Sequence, residues 1–492
     1  MGSFYLKTRM RKTNFVLSRL SLACGLAMAG LTLPAWAAEE TPALAPTLSA
    51  PGGALLDPFE TRSEMMRRKK REQEKEAELE ARKKELSPNA EESLIQVQAQ
   101  AVVDFWAKSS GGVPALEQPD GSLAEPETSA VLGYMDIHSS IDTQEVNLWD
   151  NGEFYARLLF TFGTSPSAFA GDLQGISNVD ARGYEVGKLM ELWYEHEFPY
   201  SHSDLRVGMQ DVKDRFYQME YTRLFVNKSL GLDSVFLHAG EMPTYPNAAI
   251  GLSYHAWLTP TFYWSGGVYD GTPGATDEYF NTSLNANEGV LSMFETGYVT
   301  GERYSDKGYW RIAAGGWYLK KELRQVTSVP EVSEQRIQEN ASYNFASWQV
   351  DRPGVGGFYL MGEVQMVDNL GGFVKFAMAD QTINRIYQYY ALGLHVRGLI
   401  PGREMDELGM ALMHSRQSPL FLRNNPRMYI WEGDNAASAE ALPGETTIEF
   451  TYQAKMRHWL KFQPNVQFVQ SPGMSAFNAA AVVMGVRLIA DY

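Results

Sequence analysis

The sequence predicts an all-β fold: a transmembrane antiparallel β-barrel of about 16 strands, preceded by a charged helical N-terminal segment. Three observations predict it. From about Val131 to Tyr492, short segments of alternating apolar and polar residues follow one another, separated by Gly, Asn, Asp and Pro. Roughly 16 to 18 such segments occur, most about ten residues long, the length that crosses a bilayer at a tilt. The last segment places Val482, Met484, Val486, Leu488, Ala490 and Tyr492 on one face and Gly485, Arg487 and Asp491 on the other. It thus ends on an aromatic at the final residue, where soluble chains are commonly polar and frayed.

Taken in chain order, residues 1–37 read as a secretory signal peptide. Lys7, Arg9, Arg11, Lys12 and Arg19 precede an apolar run, and Ala35 and Ala37 give an A-x-A cleavage pattern. The single cysteine, Cys24, lies inside that run, so a chain cleaved after Ala37 has no disulfide. Residues 38–60, rich in Pro, Ala and Leu, read as a flexible linker. Residues 61–107 read as a charged periplasmic helix. Arg67 to Arg71 lead into Glu72 to Glu80, with acid–base pairs at helical spacing such as Glu78 and Arg82. Its apolar positions are sparse, which leaves a coiled coil open as an alternative to a solvated arm. Residues 108–130 read as a second linker, and 131–492 as the barrel.

Composition narrows the function classes. The 492 residues are 44% hydrophobic and 12% aromatic, yet mean hydropathy is −0.29. Helical membrane bundles need several apolar runs of about 20 residues, and only Leu20 to Ala38 approaches one. A formal charge of −16 argues against nucleic acid as a partner. Adjacent aromatics near segment ends (Trp193–Tyr194, Tyr263–Trp264, Tyr309–Trp310, Trp317–Tyr318) are where an interfacial girdle is expected.

Side chains alternate across a strand, so parity alone assigns an inward face. Arg157, Glu191, Trp193, Glu195, Arg206, Arg311, Lys375, Arg397, Glu449, Lys461, Gln463 and Arg487 all fall opposite apolar neighbours. They are the candidate lining of a polar lumen, with donors and acceptors able to replace water around hydroxyl groups. The competing reading is that many of them pair with one another and keep the lumen wet. A single bulge would reverse the assignment downstream.

Several stretches resemble the carbohydrate-selective porin family of the OprB type. They are Glu449 to Tyr452, His458 to Val469, Pro472–Gly473 and Val483 to Leu488 near the end of the chain. Before them, in order, come Leu189 to Glu195, Leu205 to Gly208 with Phe216, Tyr245 to Gly251, and Gly267 to Gly271. The resemblance implies a barrel of about 16 strands in the bacterial outer membrane that passes small sugars by facilitated diffusion, without cofactor or bond chemistry. It leaves the N-terminal helix unassigned. A tether to the cell wall and a homo-oligomerisation element are both open, as is a general-diffusion channel.

Enzymatic readings find less support. The eight histidines are scattered, and His196 and His202 lack a third ligand at zinc-like spacing. Glu195 and Glu197 share a face, as glycosidase carboxylates do, but alternation in any polar lumen produces such pairs. No G-x-S-x-G or phosphate-binding glycine loop occurs.

Overall fold

Period-two alternation becomes sixteen strands that close on themselves. The computed structural model describes residues 96–117, 123–124, 127–181, 185–240, 242–273, 289–301, 303, 308–321, 323, 354–432 and 435–492. In chain order the barrel strands are β1 (Gln96–Gly112), β2 (Ser129–Asp142), β3 (Gly152–Gly163), β4 (Val186–Phe198), β5 (Ser203–Gln210), β6 (Ala249–Trp257), β7 (Phe262–Asp270) and β8 (Val290–Gly301). There follow β9 (Tyr309–Lys320), β10 (Val355–Val367), β11 (Leu370–Ala379), β12 (Ile386–Arg397), β13 (Glu407–Gln417), β14 (Gly444–Lys455), β15 (Leu460–Gln470) and β16 (Ala479–Asp491). Each pairs antiparallel with its neighbours, and β1 pairs with both β2 and β16 to close the barrel. Closure leaves no strand edge to be solvated, the condition for backbone in hydrocarbon.

Polarity is inverted relative to a soluble protein. Exposed positions include Phe105, Leu158, Phe160, Leu192, Val268, Phe294, Phe358, Leu392, Leu394, Met410, Phe468 and Met484. Buried ones include Asp104, Asp136, Arg157, Glu191, Glu295, Glu363, Glu449 and Arg487. Apolar outside and charged inside is the arrangement that lipid on one side and water on the other impose. No helix among the described residues is long and apolar enough to cross a membrane; this barrel crosses with strands.

The barrel begins earlier than the sequence reading placed it. β1 occupies residues expected to form the end of the helix of 61–107 and the start of the linker of 108–130, and β2 opens at Ser129 rather than Val131. The reason lies in the residues. Val97 and Phe105 are exposed, while Gln100, Val102, Asp104 and Trp106 are buried. That is a period of two, and β16 would have no partner without it. The signal peptide, the first linker and the helix up to residue 95 lie outside the described residues.

The expected girdle also divides. Trp193, Tyr263, Tyr309 and Trp317 are buried on the inner face. Their chain neighbours Tyr194, Trp264, Trp310 and Tyr318 take the opposite parity and face outward. Adjacent residues on a strand cannot share a face.

The two ends differ. At one end the turns are short, as at 199–202, 258–261, 368–369 and 456–459. Both chain ends of the barrel lie there, joined by Ala99 N–H to Tyr492 O (3.0 Å) and Tyr492 N–H to Ala99 O (2.8 Å). The opposite end carries long segments, among them 164–185 and 211–248. These two fold into the lumen. Phe169, Ile176, Val179, Phe216, Leu224, Phe225 and Phe236 are buried there against inward-facing wall residues.

Candidate functional site

A charge facing a barrel lumen is stable only if water or a partner solvates it. Here much of that solvation comes from the infolded loops. Glu449 of β14 accepts main-chain N–H from Val226 (2.7 Å) and Asn227 (3.0 Å), and an amide N–H of Asn465 (2.6 Å). Glu295 of β8 accepts from Tyr217 N–H (2.9 Å), and Glu363 of β10 from Tyr221 N–H (2.6 Å). Glu445 of β14 accepts from Leu173 and Gln174 N–H in the other loop. Donors on the wall hold loop carbonyls in turn: Gln463 Nε2 to Leu224 O (2.7 Å), Lys375 Nζ to Gly231 O (2.8 Å) and Gln467 Nε2 to Ile176 O (2.7 Å). The wall carboxylates therefore serve as acceptors for loop backbone that has left the sheet ladder.

Ionic clusters join these clamps. Arg157 is buried, donating to Asp136 (2.5 Å), to Glu191 (3.0 Å) and to the Tyr134 hydroxyl (2.8 Å). Glu191 also accepts the Asp211 main-chain N–H (3.1 Å), at the point where the longer loop leaves β5. Arg206 stacks on Trp193, its guanidinium carbon 3.6 Å from the ring centroid, and Tyr155 stacks on Trp193 at 4.5 Å. The same guanidinium bonds Glu195 (2.9 Å) and Asp214 (3.3 Å). Arg487 of β16 chelates Asp104 of β1 at 2.6 Å and reaches Ser177 and Asn178 of the shorter loop. This pair bridges the strands that close the barrel and the loop they surround. Arg311 bonds Glu295 (3.0 Å), the Tyr263 hydroxyl and the Gln218 carbonyl. Tyr359 completes that group, its hydroxyl 2.7 Å from Glu295. It lies across Gly315, where a Cβ would stand 2.2 Å from the ring, so only glycine admits this placement.

The twelve residues assigned by parity are thereby accounted for. Arg157, Glu191, Trp193, Glu195, Arg206, Arg311, Lys375, Glu449, Gln463 and Arg487 stand on wall strands and engage the loops or one another there. Arg397 and Lys461 are not brought to this region. Both sit towards the short-turn end, where Lys461 pairs with Asp491 (2.8 Å) and Arg397 lies beside Met405. A bulge in β4 between Leu189 and Glu191 shifts parity, so that Lys188 faces inward as well and bonds Asn247.

Between the loops lies a cavity of about 80 Å³. Arg157 is the one parity-assigned residue on its lining. Its other polar walls come from the loops themselves: Asn178, Asp211, Lys213, Asp214, Gln218, Thr222, Arg223 and Lys228. Strand periodicity could not find these, because residues 211–248 do not alternate. The available signal was the length of that gap between strands, uncommon for a plain connection and frequent for functional loops. Burial pushes the Asp211 carboxyl up, helped by the neighbouring Glu191 charge, and pushes the Lys213 ammonium down. Among the described residues no group of three or more His, Cys, Asp or Glu is placed to hold a metal ion.

A family model described as "Carbohydrate-selective porin, OprB family" matches residues 127–491. Porin B of Pseudomonas aeruginosa is 20% identical over 400 residues, covering 75% of this chain and 83% of that protein. The high-pH structure of Pseudomonas putida OprB superposes with a TM-score of 0.67 at 16% identity, covering 81% of this chain and 94% of that one. With a closed barrel, a polar interior and a family match over most of its length, this chain belongs to the carbohydrate-selective porins of the bacterial outer membrane and is a channel, not an enzyme.

Proposed function

We propose that small carbohydrates cross the outer membrane by facilitated diffusion through this lumen, passing the cavity between loops 164–185 and 211–248. The observation that carries the reading is the fixed polar lining of that cavity, in which Asn178, Gln218, Thr222 and four basic side chains (Arg157, Lys213, Arg223 and Lys228) converge. Such groups exchange hydrogen bonds with sugar hydroxyls as water is shed. The wall clamps hold the lining in place, so little ordering is required when a sugar arrives. Arg157, Arg206 and Arg311 act here mainly as positioning residues, because their donors already serve carboxylates and loop carbonyls.

The short-turn end, with Gln96 and Tyr492, faces the periplasm, and the long segments face outward, as outer-membrane barrels arrange them. The segment before Gln96 is then periplasmic. Reconstituting the mature protein into liposomes tests the transport reading. Swelling with mono- and disaccharides should exceed swelling with amino acids and salts of similar size. Equal rates for all solutes would make it a general-diffusion channel, and no swelling would remove the transport reading.

A further inference from the structure

We propose that the outward face of β12 to β15, at the end of the barrel that carries the long segments, binds a phosphorylated glycolipid of the outer leaflet, with Arg416 as the anchor for its phosphate. The inference goes beyond transport and takes only the orientation of the barrel from the reading above. At this end, outward positions on several other strands expose apolar side chains: Phe162 on β3, Val268 on β7, Val290 on β8 and Phe358 on β10. On β12 to β15 the corresponding positions are polar. Gln388 pairs with Arg416 across β12 and β13, His414 with Thr446 across β13 and β14, and Thr446 with Gln470 across β14 and β15. Arg416 and Gln470 are exposed, and Arg416 has the parity of the outward-facing Met410.

The hydrogen bonds within this run leave the arginine's charge uncompensated. His414 Nδ1 lies 2.9 Å from the Thr446 hydroxyl, and Gln388 Oε1 accepts from the Tyr390 hydroxyl (3.1 Å) and from Arg416 Nη1 (3.3 Å). The Arg416 guanidinium stands 5.8 Å from the Tyr387 ring centroid. Among the described residues no carboxylate lies within ion-pair distance of it. Gly444 stands opposite Arg416 on β14 and contributes no side chain; a Cβ there would meet the His414 ring at 2.9 Å. A guanidinium presents five donors in a planar fork that fits phosphate bidentately, and here one of them makes a long bond to a neutral amide. The flanking amides, imidazole and hydroxyl suit sugar hydroxyls beside that phosphate. Towards mid-membrane the same strands expose Leu392, Met410, Phe450 and Phe468, a surface for acyl chains. Phosphate and sugar above hydrocarbon is the chemistry of a phosphorylated glycolipid.

The test titrates the purified channel in detergent micelles, free of divalent cations, with lipid A, with enzymatically dephosphorylated lipid A and with phosphatidylglycerol, and reads retained lipid by native mass spectrometry. Binding in micelles does not depend on which way the barrel faces. Lipid A should be retained over its dephosphorylated form by roughly tenfold, and over phosphatidylglycerol as well. In Arg416→Gln the preference should fall towards one, and Arg416→Lys should restore part of it. Lys320→Gln is the control, since Lys320 is an exposed cation at the same end of the barrel, set opposite Val290 rather than a polar run; it should keep the preference. Heat-modifiable mobility on gels checks that each variant has folded. Should Arg416→Gln fail to fold, the two forms of lipid A on the unaltered channel decide the matter. Equal retention of both forms, equal retention of phosphatidylglycerol, or a preference unchanged in Arg416→Gln would each overturn the proposal. So would an oligomer that dissociates in Arg416→Gln without any phosphate preference, which would assign this face to a second copy of the chain.

Discussion

Glu449 lies fully buried at mid-lumen, and what it touches is chiefly main chain: the N–H groups of Val226 and Asn227, at 2.7 and 3.0 Å. Removing the carboxylate leaves two buried donors without an acceptor, at about 1–3 kcal/mol each. The loop, not the barrel, bears that penalty, because the strand ladder does not depend on this side chain. Glu449→Ala should therefore loosen the segment 211–248 while the barrel persists. Single-channel recordings should show larger and noisier openings, with heat-modifiable mobility on gels unchanged. An unaltered current would mean that the clamp does not position the constriction. A second residue makes the shorter loop pH-sensitive. Asp172 accepts the Gly175 N–H (2.6 Å), and burial pushes its carboxyl up to about 6. A carboxyl raised in the folded state binds more protons folded than unfolded between its ordinary value and 6. Stability of the loop is thus greatest in acid and falls as pH rises through that window, by on the order of 2–3 kcal/mol. Amide exchange of residues 164–181, corrected for intrinsic rates, should be faster at pH 8 than at pH 5. In Asp172→Asn that difference should shrink.

At the scale of elements, β1 decides whether the barrel exists. It pairs Gln100 to Asp491 and Trp106 to Gly485 on one side, and Gln100 to Asp136 and Trp106 to Ala130 on the other. A chain starting at Val131 keeps fifteen of the sixteen strands and leaves β2 and β16 with open edges in lipid. Truncation to Val131 should abolish folding into detergent or bilayer, while removal of residues 39–92 should leave a conducting barrel. Gel mobility and conductance distinguish the two. This strand was legible in principle, since Val97 to Phe105 alternate as the later strands do. A preceding run of charged helix formers masked it, and the Gly111–Gly112 pair reads as a linker when taken without its partners. The later strands were legible because a bilayer leaves only two faces, and the twelve parity-assigned residues lie on barrel strands. Their neighbours were not legible. Which loop covers Glu295 or Gln463 depends on contacts between residues far apart in sequence, and the cavity cations Lys213, Arg223 and Lys228 lie in backbone without a period. Sequence pattern reports the scaffold of this channel more faithfully than its narrowest point.

The molecule as a whole is organised by two solvents. Its outward side chains meet hydrocarbon, its inward ones meet water or loop, and the same strand must satisfy both. That organisation makes the cost of a charge depend on its height as well as its face. Leu392 is outward and exposed in the middle of β12, whereas Val367 is outward at the end of β10, beside the short turn to β11. An arginine at the mid-membrane position loses hydration with nothing in lipid to replace it, at about 2–4 kcal/mol. The same substitution near a strand end can reach headgroups and water, at about 0–1 kcal/mol. Leu392→Arg should therefore lower the free energy of folding into bilayers markedly more than Val367→Arg, measured by denaturant titration in thin-chain lipid vesicles. If the two cost the same, the hydrocarbon band does not sit where the exposed apolar residues place it. A large cost at position 392 alone would fix the barrel's height in the membrane, and with it the depth at which the infolded loops meet a passing solute.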